Sequence, residues 1–162
     1  YRSKWHPRGK HAMNDTFEAR HGYWIEDLET GMSESVSKSF SDRDVAMYAE
    51  LSTDNNPLHL DEEFAAQART GGRVIHGMVT ASLISAIIGT RLPGPGCLWM
   101  GQEMRFLAPV RIGETVQATA TLEEIDRPRQ RIHLATTCRV DGKTVLDGSA
   151  MVWVPSRRAA RG

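Results

Sequence analysis

The sequence has no net charge, few cysteines and no long apolar run, and each shortage excludes a class of protein. Lys plus Arg and Asp plus Glu each number 20 among the 162 residues, so the chain as a whole has no field that would hold a nucleic-acid backbone. The longest apolar stretch, at 78–88, contains Thr and Ser and is shorter than the roughly 18–20 residues that span a bilayer. We therefore expect no nucleic-acid partner and no membrane span.

The two cysteines predict neither a disulfide nor a metal site. Cys97 and Cys138 are far apart in the sequence and show no CxxC or Cys–His spacing typical of zinc ligands. The six histidines do not cluster either. Buried, reduced thiols are typical of cytoplasmic proteins, and residues 1–12 lack the apolar core of a secretory signal. We expect a cytoplasmic protein.

Basic residues concentrate at the two ends of the chain. Residues 1–12 contain four and no acid, and the last eight residues contain three arginines and no acid. Ends of this composition are usually solvated and poorly ordered. The length suits one domain that buries its own core. We predict a flexible basic extension at 1–12, one domain at 13–154 and a basic tail at 155–162.

Hydrophobic periodicity predicts the elements of that domain. Residues 36–40 alternate as a strand does, Ser41 and Asp44 form the start signal of a helix that ends before Pro57, and 61–68 is a short helix. The stretch 77–89 is apolar on nearly every face, as in a buried helix. Period-two alternation then predicts four strands, at 97–107, 114–125, 130–140 and 144–154.

A buried helix followed by a run of antiparallel strands predicts an α+β fold. The sheet must wrap around the helix and turn its alternating polar residues outward, which is the hot-dog arrangement. Asp141-Gly142 predicts a tight hairpin between the last two strands. We read the strands as one continuous meander. Its open edges predict association, most simply as a homodimer.

Residues 48–65 contain the groups that could carry chemistry. Asp54 and His59 stand on either side of the turn-forming pair Asn56-Pro57, and a turn can bring both side chains into one space. Adding or eliminating water needs two groups that can each take or give a proton. The spacing alone fits a local turn with a structural histidine equally well.

This segment resembles the hydratase motif of the MaoC-like dehydratases, the family of (R)-specific enoyl-CoA hydratases. The motif is a Tyr, a small or apolar pair, then Ser-Gly-Asp-x-Asn-Pro-Leu-His and a small residue six positions later. The matching residues are Tyr48, Ser52, Asp54, Asn56, Pro57, Leu58, His59 and Ala65. Thr53 replaces the usual glycine, and threonine resists positive φ. The likeness covers roughly 36–154.

The resemblance implies a hydro-lyase that acts on trans-2-enoyl thioesters of coenzyme A. Asp54 and His59 would activate one water for attack at C3 and return a proton to C2 from the same side, which gives the (R)-3-hydroxyacyl product. No metal, nucleotide or flavin cofactor is implied, because the coenzyme A thioester is itself the substrate. The implied assembly is a homodimer or a dimer of dimers.

The resemblance also implies further site residues. Gly77, at the start of the buried helix, corresponds to the family's oxyanion donor, and a helix N-terminus suits that role. Asn56 and Ser85 would support the pair, with Ser82 competing for the role of Ser85. Ile88 would lie at the acyl tail and limit its length.

His76 is predicted to be a capping or core histidine rather than a second catalyst. Arg73, Arg105 and Arg111 are equal candidates for the phosphates of coenzyme A. Two rival functions remain at this point: a hot-dog acyl-CoA thioesterase, in which the acid activates water against the thioester carbon, and a non-catalytic acyl-CoA-binding subunit. The acid–imidazole pair favours the hydratase over both.

Overall fold

The computed structural model describes residues 17–157. The predicted extension at 1–12 and residues 158–162 of the predicted tail lie outside them. The helices are α1 (Phe17–Arg20), α2 (Asp42–Ser52), α3 (Pro57–Leu60), α4 (Glu62–Gln67) and α5 (Gly77–Thr90). The strands are β1 (Ser33–Ser39), β2 (Leu98–Phe106), β3 (Thr115–Asp126), β4 (Arg131–Val140) and β5 (Lys143–Trp153). Each predicted strand and long helix is present, within a few residues of its predicted bounds.

The five strands form one antiparallel sheet in the order β1-β3-β4-β5-β2. The predicted hairpin between β4 and β5 is confirmed, because Asp141 and Gly142 both have positive φ, 47° and 80°. The predicted continuous meander is wrong at its first strand, since β2 pairs with β5 at one edge and β3 begins at the other side of the sheet. The connection 107–114 is long enough to cross the end of the sheet, whereas a hairpin turn is not.

Helix α2 begins with the predicted capping box. The Ser41 amide donates to the Asp44 carboxylate at 2.8 Å, and the Asp44 amide donates to the Ser41 hydroxyl at 3.3 Å. The Ser41 amide is also the main reason that the pKa of Asp44 lies below its ordinary value. The reciprocal bonds satisfy two backbone donors and fix where α2 starts, and therefore where it delivers the loop that follows.

Helix α5 is the core of the fold, with the sheet curled around it. It contacts β1, β3 and β4, and its inward residues are almost fully buried: Val79, Thr80, Ala81, Leu83, Ile84, Ile87 and Ile88. Burial on every face, as the sequence predicts, is wrong for the single chain, because a second face is exposed: Met78, Ser82, Ser85, Ala86 and Gly89. One curved sheet covers only one side of a helix. Among the described residues, no helix combines the length and hydropathy needed to cross a membrane.

Candidate active site

The end of α2 places Asp54. Ser52 donates its hydroxyl proton to the Tyr48 carbonyl at 2.7 Å and accepts from the Asp54 amide at 3.2 Å. Thr53 takes the left-handed conformation, φ 63°, where the resemblance expects a glycine. A β-branched residue there costs roughly 1–2 kcal/mol. The fold therefore keeps the glycine-like turn in spite of the threonine. Helix α2 ends at this turn, and Asp54 lies in the loop that follows.

A short helix that the sequence did not predict carries His59. Asn56 caps α3 by accepting from the Leu58 amide at 3.0 Å, and the Asn56 amide donates to Asp54 Oδ1 at 3.3 Å. Pro57 fits the first helical position because its missing N–H is not needed there. Asn56 thus stabilises the loop backbone. It does not line the cavity that holds Asp54 and His59.

The His59 ring is held in one tautomer. Its Nδ1 lies 2.8 Å from the Val74 carbonyl oxygen, and a carbonyl oxygen can only accept, so Nδ1 carries the proton. The neutral ring therefore has its lone pair on Nε2. Arg73 fixes the backbone at the same point, donating to the His59 carbonyl at 2.8 Å. His59 is 8% exposed, so its ring is held inside the protein rather than on the surface.

Asp54 and His59 meet at one cavity of about 500 Å³. One carboxylate oxygen of Asp54 and one ring nitrogen each of His59 and His76 lie within 4.8 Å of one another. Asp54 is exposed at the mouth and the two rings are buried. The walls are largely apolar: Leu58, Val74, Ile75, Met78, Phe106, Leu107, Ala108, Pro109, Val110 and Val145. An apolar slot with a polar end suits an acyl thioester whose reacting carbons lie beside the pair.

His76 is more closely engaged with this pair than the sequence indicates. It is 2% exposed, which fits the predicted core histidine. It also occupies the predicted N-cap position of α5, although its side chain makes no capping bond there. Its Nε2 lies 3.0 Å from the Asp54 carbonyl oxygen and its ring stacks on His59, centroids 3.8 Å apart. The signal in the sequence was its place immediately before the predicted oxyanion glycine.

Gly77 lines the same cavity at the first position of α5. The first amides of a helix have no intrahelical acceptor, and α5 adds the positive end of its dipole there. A Cβ on Gly77 would lie 2.9 Å from Cε1 of Phe106, so a larger residue would have to displace that ring. The position thus combines a helix N-terminal N–H with a place on the wall of the cavity.

Two other predicted pocket residues lie apart from the cavity. Ser85 is exposed on the open face of α5, and Ile88 is packed in the core at 2% exposure. Ser82, the competitor of Ser85, donates to the Val79 carbonyl at 2.6 Å and lines a second groove of about 640 Å³ between α2 and α5. In the single chain none of the three lines the cavity that holds Asp54. The support of the acid–imidazole pair by Ser85 or Ser82 and the place of Ile88 at the acyl tail stay predictions.

The three candidate arginines differ in their present partners. Arg73 pairs with Asp42 at 2.8 Å, and Arg111 donates to the backbone carbonyls of Thr70 and Arg73. Arg105 pairs with Asp147 at 2.7 Å, with most of its own side chain in solvent. Arg105 is therefore the one of the three that a phosphate could reach with the least rearrangement.

Asp54, His59 and His76 form the one group in the described part of the chain with the composition of a metal site. The two imidazole planes are inclined by only 33° at a centroid separation of 3.8 Å. Planes at that inclination meet well beyond the roughly 2.0–2.1 Å reach of a zinc–nitrogen bond. A single ion cannot lie in both ring planes, so the geometry suits proton transfer better than metal binding.

Comparison with known proteins identifies the family and the fold. Residues 26–144 match the family model described as a MaoC like domain. The 3-hydroxybutyryl-CoA dehydratase of Methylorubrum extorquens is 47% identical over 137 residues, 85% of this chain and 87% of that protein. The (R)-specific enoyl-CoA hydratase of Rhodospirillum rubrum is 44% identical over 135 residues, 83% and 94% of the two chains. A solved (R)-hydratase from A. caviae involved in PHA biosynthesis has a TM-score of 0.78 at 37% identity, covering 80% of this chain and 99% of that one. The predicted resemblance and the hot-dog fold are confirmed.

Proposed function

Because the chain belongs to the MaoC-like domain family, we propose that it catalyses the reversible syn hydration of trans-2-enoyl-CoA to (R)-3-hydroxyacyl-CoA. The chain is an enzyme of the hydro-lyase class, like its curated relatives. The observation that carries the specific proposal is the convergence of Asp54 and His59 on one apolar-walled cavity. Two proton-transfer groups at a slot for an acyl chain are what this reaction needs.

The pair acts on one water molecule. The Asp54 carboxylate and His59 Nε2 both accept hydrogen bonds, so together they can orient a water whose oxygen faces C3. As the oxygen bonds to C3, one of the pair takes a water proton and the C2=C3 electrons move toward the thioester oxygen. The resulting enolate collapses, and C2 takes a proton from the same pair. Both additions occur on one face because both groups lie on one side of the cavity.

Gly77 stabilises the negative charge that develops on the thioester oxygen. Its amide stands at the N-terminus of α5 on the wall of the same cavity. A fixed N–H directed at a developing oxyanion needs no reorganisation during the reaction, which is why such donors contribute strongly to catalysis. The coenzyme A portion of the bound substrate would extend out of the cavity through its open mouth beside Asp54.

We expect Gly77→Ala to lower kcat by about 10- to 100-fold, the scale of a misplacement of about 1 Å at a reacting group. The new methyl group would force the Phe106 ring from its position against α5 and shift the donor from the oxyanion. Gly89→Ala is the matched control, because a Cβ at Gly89 meets nothing within 4 Å. Steady-state rates with crotonyl-CoA compare the two variants. A Gly77→Ala enzyme as fast as Gly89→Ala would refute the oxyanion role.

The direct test of the reaction follows crotonyl-CoA by two readouts. Loss of the conjugated enoyl absorbance reports hydration, and a thiol reagent reports free coenzyme A. We expect the absorbance to fall with no thiol release, and chiral chromatography to find the (R)-3-hydroxy product. Thiol release at the rate of substrate loss would indicate a thioesterase. Tight binding without turnover would indicate an accessory subunit.

We propose that the reaction needs no metal, nucleotide or flavin. The acid, the base and the oxyanion donor are all supplied by the chain, and the substrate carries its own activating thioester. Enzyme treated with a chelator and passed through a desalting column should keep its full rate in the same assay. Activity that disappears and returns only with a divalent cation would contradict this part of the proposal.

We propose a homodimer that pairs the edge strand β2. Among the described residues, β5 is the only strand hydrogen-bonded to β2, so the other edge of β2 is unpaired. On and just after it, large apolar side chains stand in solvent: Leu98, Trp99, Met100, Phe106 and Leu107. Phe106 and Leu107 also line the cavity, so a second copy over this edge would cover one wall of the site. Unpaired edges with exposed apolar residues are otherwise prone to nonspecific pairing.

Light scattering on a sizing column tests the dimer. We expect a mass of twice 18.0 kDa for the wild-type protein and a shift toward the single-chain mass for Met100→Lys, because the charge would be buried without a partner. Phe64→Lys on α4 replaces an equally exposed apolar residue away from the edge and should leave the dimer intact. Dissociation by Phe64→Lys but not by Met100→Lys would place the interface elsewhere.

We also propose a reducing, cytoplasmic environment. Cys97 and Cys138 are both free thiols, and burial raises the pKa of Cys138 to about 12, which keeps that thiol protonated and unreactive. The fold is therefore formed without a disulfide between these two cysteines.

A further inference from the structure

We propose that His76 is a positioning residue for the acid–imidazole pair, an inference that rests on the proposed hydration. It contacts both members of the pair at once: through a hydrogen bond to the Asp54 backbone and through a ring stack on His59. Neither contact reaches the reacting atoms. His76 would therefore act by holding Asp54 and His59 in register, not by transferring a proton.

The hydrogen bond ties the Asp54 loop to the start of α5. His76 Nε2 lies 3.0 Å from the Asp54 carbonyl oxygen, across 22 positions of sequence. The side chain of Asp54 is exposed, and the other hydrogen bonds of this residue are local: its amide donates to the Ser52 hydroxyl, and its Oδ1 accepts from the Asn56 amide. Hydrogen bonds within the loop move together with the loop. The bond from His76 instead attaches the loop to the start of the central helix α5. That helix also carries the Gly77 donor, so one element sets the distance between acid and oxyanion site.

The ring stack holds the His59 imidazole from its face. The Val74 carbonyl holds His59 at Nδ1, and this one bond opposes rotation of the ring about its Cβ–Cγ bond. His76 packs 3.8 Å away on one face, and Tyr48 in turn packs on His76 at 4.9 Å. The ring pairs are tilted, by 33° for His59 and His76 and by 55° for His76 and Tyr48, and Tyr48 is half-buried. This packing restricts the rotation of the His59 ring.

The hydrogen bonds also assign the tautomer of each ring. The Asp54 carbonyl can only accept, so His76 carries its proton on Nε2, the opposite tautomer to His59. His76 Nδ1 is buried without a hydrogen-bond partner among residues 17–157, so a second proton there would find no acceptor. The two rings therefore carry a proton on opposite nitrogens, and each donates it to a backbone carbonyl.

Two substitutions separate the hydrogen bond from the ring. We expect His76→Phe, which keeps an aromatic ring and loses the donor, to lower kcat by about 10- to 100-fold with KM changed by less than about threefold. His76→Gln can place an amide N–H where Nε2 stood and should recover at least fivefold of that loss, on the order of a preserved positioning contact. His133→Phe and His133→Gln make the same changes at a half-buried histidine on β4 and should keep the wild-type kcat.

A loss in kcat that tracks the melting temperature, equal for Phe and Gln, would reduce His76 to a structural residue and overturn the proposal. A His76→Phe enzyme with wild-type kcat would overturn it as well. These comparisons require that the wild-type protein hydrates crotonyl-CoA. A wild type without turnover would refute the proposed function. In that case the inference about His76 is tested by NMR, which does not depend on activity.

Nitrogen-15 NMR of the imidazoles needs no activity and no variant that folds poorly. At neutral pH we expect His76 to show the Nε2–H tautomer and His59 the Nδ1–H tautomer, with single His→Gln variants at the other four histidines used to assign the remaining signals. A His76 that carries its proton on Nδ1, or one that averages between the two tautomers, would show that the ring is not held by the Asp54 carbonyl and would refute the positioning role.

Discussion

Asp54→Asn is expected to lower kcat for crotonyl-CoA hydration by about 10²–10⁴-fold, the usual contribution of a positioned acid–base group. Asparagine has nearly the same shape and keeps an oxygen that can accept from the Asn56 amide, as Asp54 Oδ1 does at 3.3 Å. The loop should therefore stay in place, and the loss would report the missing proton acceptor alone. In free energy this is roughly 2.7–5.4 kcal/mol of transition-state stabilisation.

Asp61→Asn is the matched control for this prediction. Asp61 is another exposed aspartate of the same segment and caps α4 by accepting from the Phe64 amide at 3.0 Å, a bond that asparagine also makes. Its rate should equal that of the wild type, measured by the fall in enoyl absorbance. A folded Asp54→Asn enzyme within a fewfold of Asp61→Asn would remove Asp54 from the mechanism.

His59→Asn is expected to cause a loss of similar size, about 10²–10⁴-fold in kcat. Its side-chain amide can stand where Nδ1 stood and donate to the Val74 carbonyl, which holds the wild-type ring at 2.8 Å. The variant lacks Nε2 altogether, and an amide cannot take a proton at neutral pH. His59→Gln places an amide nearer the position of Nε2 and should be as slow, because reaching the cavity is not sufficient without basicity.

The double variant Asp54→Asn/His59→Asn separates a coupled pair from two independent groups. Residues that act as one unit lose nearly the whole effect with the first substitution, so the double variant should be little slower than the slower single one. Losses that multiply would mean that each group acts on its own proton. Circular dichroism and thermal melting of all three variants should match the wild type, since both substitutions keep the local hydrogen bonds.

Most of the fold could be predicted from local signals. Period-two alternation gave four strands within one or two residues of β2 to β5, because an inward and an outward face leave a direct mark on the sequence. The capping residues Ser41 and Asp44 marked the start of α2, and Asp141-Gly142 marked the hairpin. Each of these signals concerns neighbours in the chain, so no knowledge of packing was needed.

The order of the strands and the burial of α5 could not be read in the same way. A strand pattern states which residues face the core but not which strand lies alongside, so the place of β2 beside β5 had no signal in the sequence. The predicted helix at 77–89 was apolar throughout, yet the single chain leaves Ser82, Ser85 and Ala86 exposed. A hydrophobic pattern indicates that a helix face will be buried. It does not indicate which other element buries that face.

By itself the sequence determined the chemical groups: an acid and an imidazole about a turn, a glycine at a helix start, and the family motif that joins them. The tertiary structure decided their relation. Val74 fixes the tautomer of His59, His76 reaches back to the Asp54 backbone, and Phe106 closes over Gly77. These contacts join residues that are 15 to 29 positions apart, and no local pattern encodes them because side-chain direction and distance arise only when separate elements pack.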